Sequence, residues 1–433
     1  MKQARLRSFI QRLRGKGALY ILGGSFLMKL AAFLGSIVLV RVLAKSEFGA
    51  LSYMENLYTY AFLFAGYGLN NAVFRYVVLK DRACEKAGVI DYVIKRGTCF
   101  NIGLVLLAGA IAFLFPHSDQ FAEAAYLLPL MLVAIPLQFL FDTGTYSLRA
   151  LLRNKAYAVF AVVAVLCVWV IKIIGASVFG LEGAVFSWPV SYALMALAVI
   201  VFLKTTVFGH TAAEPVDKAE RREIDKYSLQ YMVTNGLWVM FLQNDLLLIG
   251  MLTGSSVLVA SYKVAYVFPA AMSIVSNSIG MFVAPYFVKH ETNRGWVWGN
   301  YLRVLAVSII SLGLLTVFLM VFAEQIVVFL YGPQYIDAVV VMRMLLIAVF
   351  LSNAVRYTAA NLLAAMGNIR ANLVISAIGI AVQVGLDILL IPLYGMEGAA
   401  FASIVVYALM AAAITTVFIM LYKPLSSSRE NVT

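Results

Sequence analysis

Residues Gly180 to Ala198 read GLEGAVFSWPVSYALMALA, and residues Gly395 to Ala413 read GMEGAAFASIVVYALMAAA. The two stretches agree at 12 of 19 positions without a gap, at an offset of 215 residues. Each opens on Gly-x-Glu-Gly and runs on as an apolar segment, and a membrane helix needs about 20 such residues. At the same offset Lys155 falls on Arg370 and Ala150 on Ala365. Duplication of one half of the chain accounts for this match; the competing reading is chance similarity between two Ala-rich helices.

The rest of the chain fits that reading. Of 433 residues, 63% are hydrophobic and 12% charged, against roughly 25% charged in soluble domains. Too few polar residues are present to cover a water-facing surface, so lipid must cover most of it. Twelve apolar runs fall at about 18–42, 50–72, 98–115, 125–148, 156–178, 183–206, 228–251, 256–288, 302–323, 338–360, 371–393 and 397–422, each long enough for a bilayer crossing. The first run is too long for a cleaved signal peptide and has an equally long partner behind it, so it is expected to stay in the protein. The longest hydrophilic stretch, from Thr205 to Tyr227, divides the runs six and six.

The predicted fold is therefore all-α and polytopic: twelve transmembrane helices in two six-helix lobes related by pseudo-two-fold symmetry along the membrane normal. The expected division is an N-terminal lobe at 1–206, a cytoplasmic linker at 207–227 and a C-terminal lobe at 228–433. Lys and Arg divide 26 to 2 between alternate loops, with only Arg41 and Lys45 on the poor side. Positive charge is retained in the cytoplasm, so both termini are expected inside.

Several function classes drop out. The net charge of +12 is scattered through short gaps between apolar runs, not gathered along one helix face as nucleic-acid binding requires. Cys84, Cys99 and Cys167 form no CxxC pair, and His117, His210 and His290 stand far apart, so neither a disulfide framework nor a zinc site is indicated. With no P-loop, GxSxG or HExxH in the chain, no enzyme chemistry and no cofactor are expected.

What remains is charge inside the membrane, where each Lys, Arg or Asp costs about 2.5–3.5 kcal/mol near a helix centre. Such residues face a cavity, a partner or the interface. Lys29 lies deep in the first run on a face with Ser25, Ala32 and Ser36; Lys263, Tyr266, Ala270, Ser273 and Asn277 form a second stripe, and Asn56, Tyr60, Tyr67 and Asn71 a third. These stripes nominate Lys29, Lys263, Tyr266, Asn277, Asn56 and Asn71 as substrate-binding residues in a wet cavity walled by the first, second, seventh and eighth helices. For Lys29 the alternatives are a structural ion pair or snorkelling. Arg356, with Asn353 nearby, joins the list. Lys172 is expected to snorkel outward and Glu55 to sit at the interface, so Lys29 should matter more than Lys172. Asp142, Asp245 and Asp387 either neutralise these cations structurally or bind a coupling proton or sodium ion. Asp245, beside Asn235 and Trp238, is the first choice for that role and Asp142 the second. Cations outnumber acids in this inventory, which favours an anionic ligand.

The stretch from Ser25-Phe26-Leu27 through Val40-Arg41-Val42-Leu43, followed by Ser46-Glu47-Phe48-Gly49, resembles the opening of the polysaccharide-unit flippases. These are the O-antigen and exopolysaccharide translocases of the multidrug, oligosaccharidyl-lipid and polysaccharide exporter superfamily. Lys45 stands where that family often has proline. Arg149 to Lys155 (RALLRNK), Leu363 to Arg370 (LAAMGNIR) and Gly395 to Ala399 are similar too. The resemblance implies a two-lobed transporter that moves an undecaprenyl-diphosphate-linked oligosaccharide across a bacterial inner membrane by alternating access, with Lys29 and Lys263 matching the basic residues expected in its cavity. The implied partners are that lipid-linked glycan, membrane lipids and other polysaccharide-assembly proteins. The lipid II flippases resemble it less, having two further helices. A cation-coupled multidrug antiporter of the same superfamily is the alternative. A glycan polymerase is disfavoured, because the longest outer gap is only about sixteen residues.

Overall fold

A computed structural model of the chain describes residues 18–114, 121, 126–209 and 211–423. The basic N-terminal segment, His117 and His210 lie outside the described residues. Among the described residues there is helix and no strand. Helices fall on each of the twelve apolar runs, consistent with the two-lobed arrangement.

By contacts the chain forms two compact units, Met1–Gln243 and Asn244–Thr433. The first contains α1 (Ala18–Val42), α2 (Lys45–Phe62), α3 (Leu69–Val78), α4 (Ala83–Leu114), α5 (Leu128–Leu132), α6 (Ala134–Ala150) and α7 (Asn154–Phe202). The division falls within α8 (Lys218–Thr253). The second unit continues with α9 (Ser256–Ala271), α10 (Ser273–Lys289), α11 (Arg294–Val321), α12 (Ala323–Tyr331), α13 (Ala338–Phe350), a π-helical turn at Leu351–Arg356, α14 (Tyr357–Ala365) and α15 (Ile369–Tyr422). Among the described residues eight helical stretches are long and apolar enough to cross a membrane, and outward faces carry side chains such as Leu106 and Phe179, both 70% exposed. The protein is a multi-pass membrane protein.

α7 and α15 are each about twice the length a bilayer needs, and each contains one residue that reverses it. Gly180 has φ 58, ψ −137 and Gly395 has φ 58, ψ −134. That backbone region is open essentially to glycine alone, which explains why the quoted repeats open on this residue and why each long helix acts as two crossings. The turns preceding the long helices repeat as well. Arg153 N donates to Leu148 O at 2.9 Å, and Asn368 N to Leu363 O at 2.8 Å. Here the copies differ at one point: the left-handed residue is Gly367 (φ 85) in the second and Leu152 (φ 59) in the first. A side chain in that conformation costs about 1–2 kcal/mol. Gly180→Ala or Gly395→Ala should lower stability by about 1–3 kcal/mol, measurable by thermal unfolding in detergent; an unchanged midpoint would show that the reversal does not need glycine.

Two expectations are corrected. The third helix begins at Ala83, not near residue 98, because ion pairs of helical spacing extend it into the charged segment: Arg82–Glu85 at 2.9 Å and Asp91–Lys95 at 2.7 Å. The second run is not one helix. It starts at Lys45, where Glu47 accepts a hydrogen bond from Ala44 N at 3.0 Å, and breaks at Gly66, Tyr67 and Gly68, all with positive φ. Asn56 and Asn71 therefore do not share a continuous helical face.

The hydrophilic segment packs on the first unit. Glu214 N donates to Cys84 O at 3.0 Å, Lys80 pairs with Glu220 at 2.8 Å, and Asp225 accepts from Tyr67 at 2.8 Å and from Tyr92 at 2.9 Å. The Glu220 carboxylate holds the Lys80 ammonium above its ordinary pKa. These bonds tie the start of α8 to the first unit.

Candidate functional site

In the first unit α1, α2, α6 and α7 enclose a cavity of about 530 Å³. α7 packs along α1 and α6, and its inward face supplies Tyr157, Trp169, Lys172, Trp188 and Tyr192, while α1 adds Lys29, α2 adds Glu55 and α6 adds Asp142 and Tyr146. Lys172 is 2% exposed. Its Nζ lies 2.8 Å from Glu55 Oε1, and 4.8 and 4.7 Å from the ring centroids of Trp169 and Trp188. A buried ammonium is tolerable on those terms, with a carboxylate for charge and two aromatic faces for cation–π attraction. The indole N–H of Trp188 is buried and has no hydrogen-bond partner among the described residues.

This overturns the reading of Lys172 as a snorkelling residue and of Glu55 as interfacial. α2 begins at Lys45, which puts Glu55 well inside the helix and opposite α7. The pair was missed because its members are 117 residues apart and only the packing of α2 on α7 brings them together.

Lys29 is exposed on the same cavity wall and makes no ion pair among the described residues. Asp142, on α6, lines the same cavity. Asn56 is 3% exposed, with Nδ2 donating to Gln243 O at 3.1 Å and Gln243 Oε1 at 3.2 Å. Asn71 bonds its neighbour Asn70.

In the second unit Lys263 and Tyr266 are half-buried on α9, and Asn277 is exposed on α10 beyond a break at Met272. Arg356, 5% exposed at the end of the π-helical turn, donates to Ser376 Oγ at 3.0 Å, while its Nε lacks a partner among the described residues.

Asp245 joins a buried network. Tyr262 donates to Asp245 Oδ2 at 2.5 Å, Ser403 Oγ to the same oxygen at 3.1 Å, and Gln383 Nε2 to Oδ1 at 3.2 Å. The same Gln383 nitrogen lies 3.2 Å from both oxygens of Asp387, which also accepts from Asn244 at 3.1 Å. Asp387 is 0% and Gln383 3% exposed. The side chains of Asn235 and Trp238, the sequence neighbours expected for Asp245, lie outside the described residues. Among the described residues no ion pair joins Asp142, Asp245 or Asp387 to a membrane-embedded Lys or Arg. Two carboxylates bridged by one amide in so dry a place cannot both carry a bare negative charge without a large cost.

The residues that α7 and α15 contribute to the two sites correspond in the duplicated halves. At the offset of 215 residues Lys172 corresponds to Asp387, Trp188 to Ser403, Val168 to Gln383 and Tyr192 to Tyr407. At the equivalent position α7 carries an ammonium and α15 a carboxylate, while the acids beside them, Glu55 and Asp245, are not at equivalent positions.

Solved structures share this architecture. An inward-facing multidrug resistance MATE family transporter of the MOP superfamily superposes with a TM-score of 0.68 at 16% identity, over 92% of this chain and 96% of that one. The lipid II flippase MurJ in an inward closed conformation gives 0.64 at 14% identity, over 92% and 90%. A MOP superfamily transporter from Pyrococcus furiosus, described as having a binding pocket of reverse polarity, gives 0.61 at 15%, over 94% and 96%. The chain thus has the fold of the MOP superfamily. Residues 14–291 match the family described as Polysaccharide biosynthesis protein, and the chain belongs to that family. No curated protein sequence matches it.

Proposed function

We propose that the protein is a flippase that carries polyprenyl-diphosphate-linked oligosaccharide units from the cytoplasmic to the outer leaflet of a bacterial inner membrane, by alternating access, for surface polysaccharide assembly. Both termini are then cytoplasmic and no covalent chemistry is required. Family membership supports the glycan class. The observation that carries the reading is the first unit's cavity, in which Lys29 is exposed with no ion pair among the described residues and stands among Trp169, Trp188, Tyr146, Tyr157 and Tyr192, while Glu55 neutralises Lys172. An ammonium group suits a diphosphate, and aromatic faces suit sugar rings.

The second unit supplies the coupling in this proposal. Its Asp245–Asp387 pair takes up a proton or sodium ion, while Lys172 already provides the equivalent charge in the first unit. Asp142 faces the substrate cavity and is the second candidate for ion uptake. Lys263, Tyr266, Asn277, Arg356, Asn56 and Asn71 remain proposed contacts for the glycan or its diphosphate.

Deleting the gene should abolish a surface polysaccharide and leave lipid-linked units inside the cell with dye export unchanged. Dye hypersensitivity with normal surface glycan would replace this reading with the antiporter. Lys29→Gln should cut complementation about tenfold at equal membrane protein level, since it keeps polarity and loses charge, whereas Lys29→Arg should retain most of it. Full activity of Lys29→Gln would sink the electrostatic role of this residue.

A further inference from the structure

A second cavity of the first unit, of about 580 Å³, lies at the turn between α6 and α7 and takes in RALLRNK residues that the transport site leaves unused. It is lined by Arg75 and Arg149 together with Phe74, Leu79, Leu152 and Tyr227. No acidic residue lines it. The Arg149 guanidinium carbon lies 5.1 Å from the Phe74 ring centroid and 5.8 Å from that of Tyr157, and the Arg75 carbon 5.0 Å from that of Tyr227. Neither guanidinium has a carboxylate partner among the described residues, and the nearby Glu223 is engaged by the Tyr76 hydroxyl at 3.1 Å. Aromatic stacking orients an arginine but leaves its N–H fork open, and that fork matches phosphate geometry.

The rim is apolar and unusually exposed: Leu79 at 66% and Leu152 at 79%. Leu152 is the residue that occupies the left-handed position where the duplicated half has Gly367. A large aliphatic side chain is thus held in a conformation suited to glycine, and it points to no protein core. Two fixed cations beside exposed aliphatic side chains, at the charged end of membrane helices, present a surface complementary to a phosphate attached to acyl chains.

We propose that this cavity is a binding site for an anionic phospholipid, with the headgroup phosphate held by Arg75 and Arg149 and an acyl chain lying along Leu79 and Leu152. The site is separate from the transport reading above and does not depend on it. Tyr157, which covers Arg149, also walls the transport cavity, so lipid occupancy would hold that wall in place.

The test uses the purified full chain in a mild non-ionic detergent, titrated with phosphatidylglycerol or phosphatidylcholine and read by native mass spectrometry. Wild type should retain phosphatidylglycerol at least tenfold more tightly than phosphatidylcholine. Arg75→Gln with Arg149→Gln should bring the two within twofold, while the matching pair of Lys substitutions should keep a preference of several-fold. Leu152→Gly, which suits the backbone, should weaken both lipids together. Equal binding of the two lipids by wild type, or an unchanged preference in the Gln pair, would overturn the proposal. Displacement of phosphatidylglycerol by equimolar glycerol 1-phosphate would overturn the lipid assignment in favour of a soluble phosphate.

Discussion

Lys172→Met is expected to lower stability by about 3 kcal/mol and to abolish surface-glycan complementation, an effect larger than that of any other single cation. The side chain is 3% exposed and its partner Glu55 22%, so removing the ammonium leaves a carboxylate in a poorly hydrated place without the counter-charge 2.8 Å away. Breaking one side of such a pair costs about 3–5 kcal/mol. Replacing both, in Lys172→Met with Glu55→Leu, should restore most of the stability and little of the transport, because two apolar residues can fill the space but cannot meet a diphosphate. Lys29→Met should show the opposite split, with stability within about 0.5 kcal/mol of wild type and transport reduced. Thermal unfolding in detergent beside complementation at equal membrane level separates the two. A Lys172→Met protein as stable as wild type, or a double variant no better than the single, would show that the ion pair does not organise this cavity.

Asp387→Asn is expected to remove the response to the coupling ion and to reduce transport at least tenfold. With Asp245 and Asp387 both present, a saturating cation should stabilise the wild-type protein by about 2.7 kcal/mol at a concentration 100 times its Kd. Asn keeps the shape and hydrogen-bonding capacity but leaves one carboxylate, which the Tyr262, Ser403 and Gln383 donors already satisfy. The stabilising response to sodium, or to lower pH if the ion is a proton, should then flatten. Asp387→Lys places in the second unit the residue type that the duplicated position already carries at Lys172; it should fold and lose ion dependence, having a tethered charge in place of an exchangeable one. A sodium or pH response in Asp387→Asn equal to that of wild type would remove the pair from the coupling proposal.

The repeat at Gly180 and Gly395, the apolar run lengths and the low charge content were sufficient for the fold class, since lipid as solvent allows few solutions and each crossing must be a helix with its backbone bonds satisfied internally. The glycines themselves announced the two reversals, because only that residue enters their φ,ψ region freely. Lys29, singled out by helical spacing, lines a cavity of the first unit walled by α1, α2, α6 and α7, a different set of helices from the one expected. The break at Gly66–Gly68 was not legible, since apolar content continues through it, and neither was the helical start at Ala83, where side-chain pairs and not hydrophobicity support the helix.

Pairings between distant residues were decided only by the tertiary structure. Lys172 and Glu55 each look like interfacial charges until α2 and α7 bring them within 2.8 Å. Asp245, Gln383, Asp387 and Ser403 span 158 residues and become one network only when α8 and α15 meet. Local sequence determines which residues can lie in a membrane helix, because that depends on each segment's own transfer from water to lipid. What neutralises a buried charge depends on which other helix lies against it, and that is a property of the packed lobe.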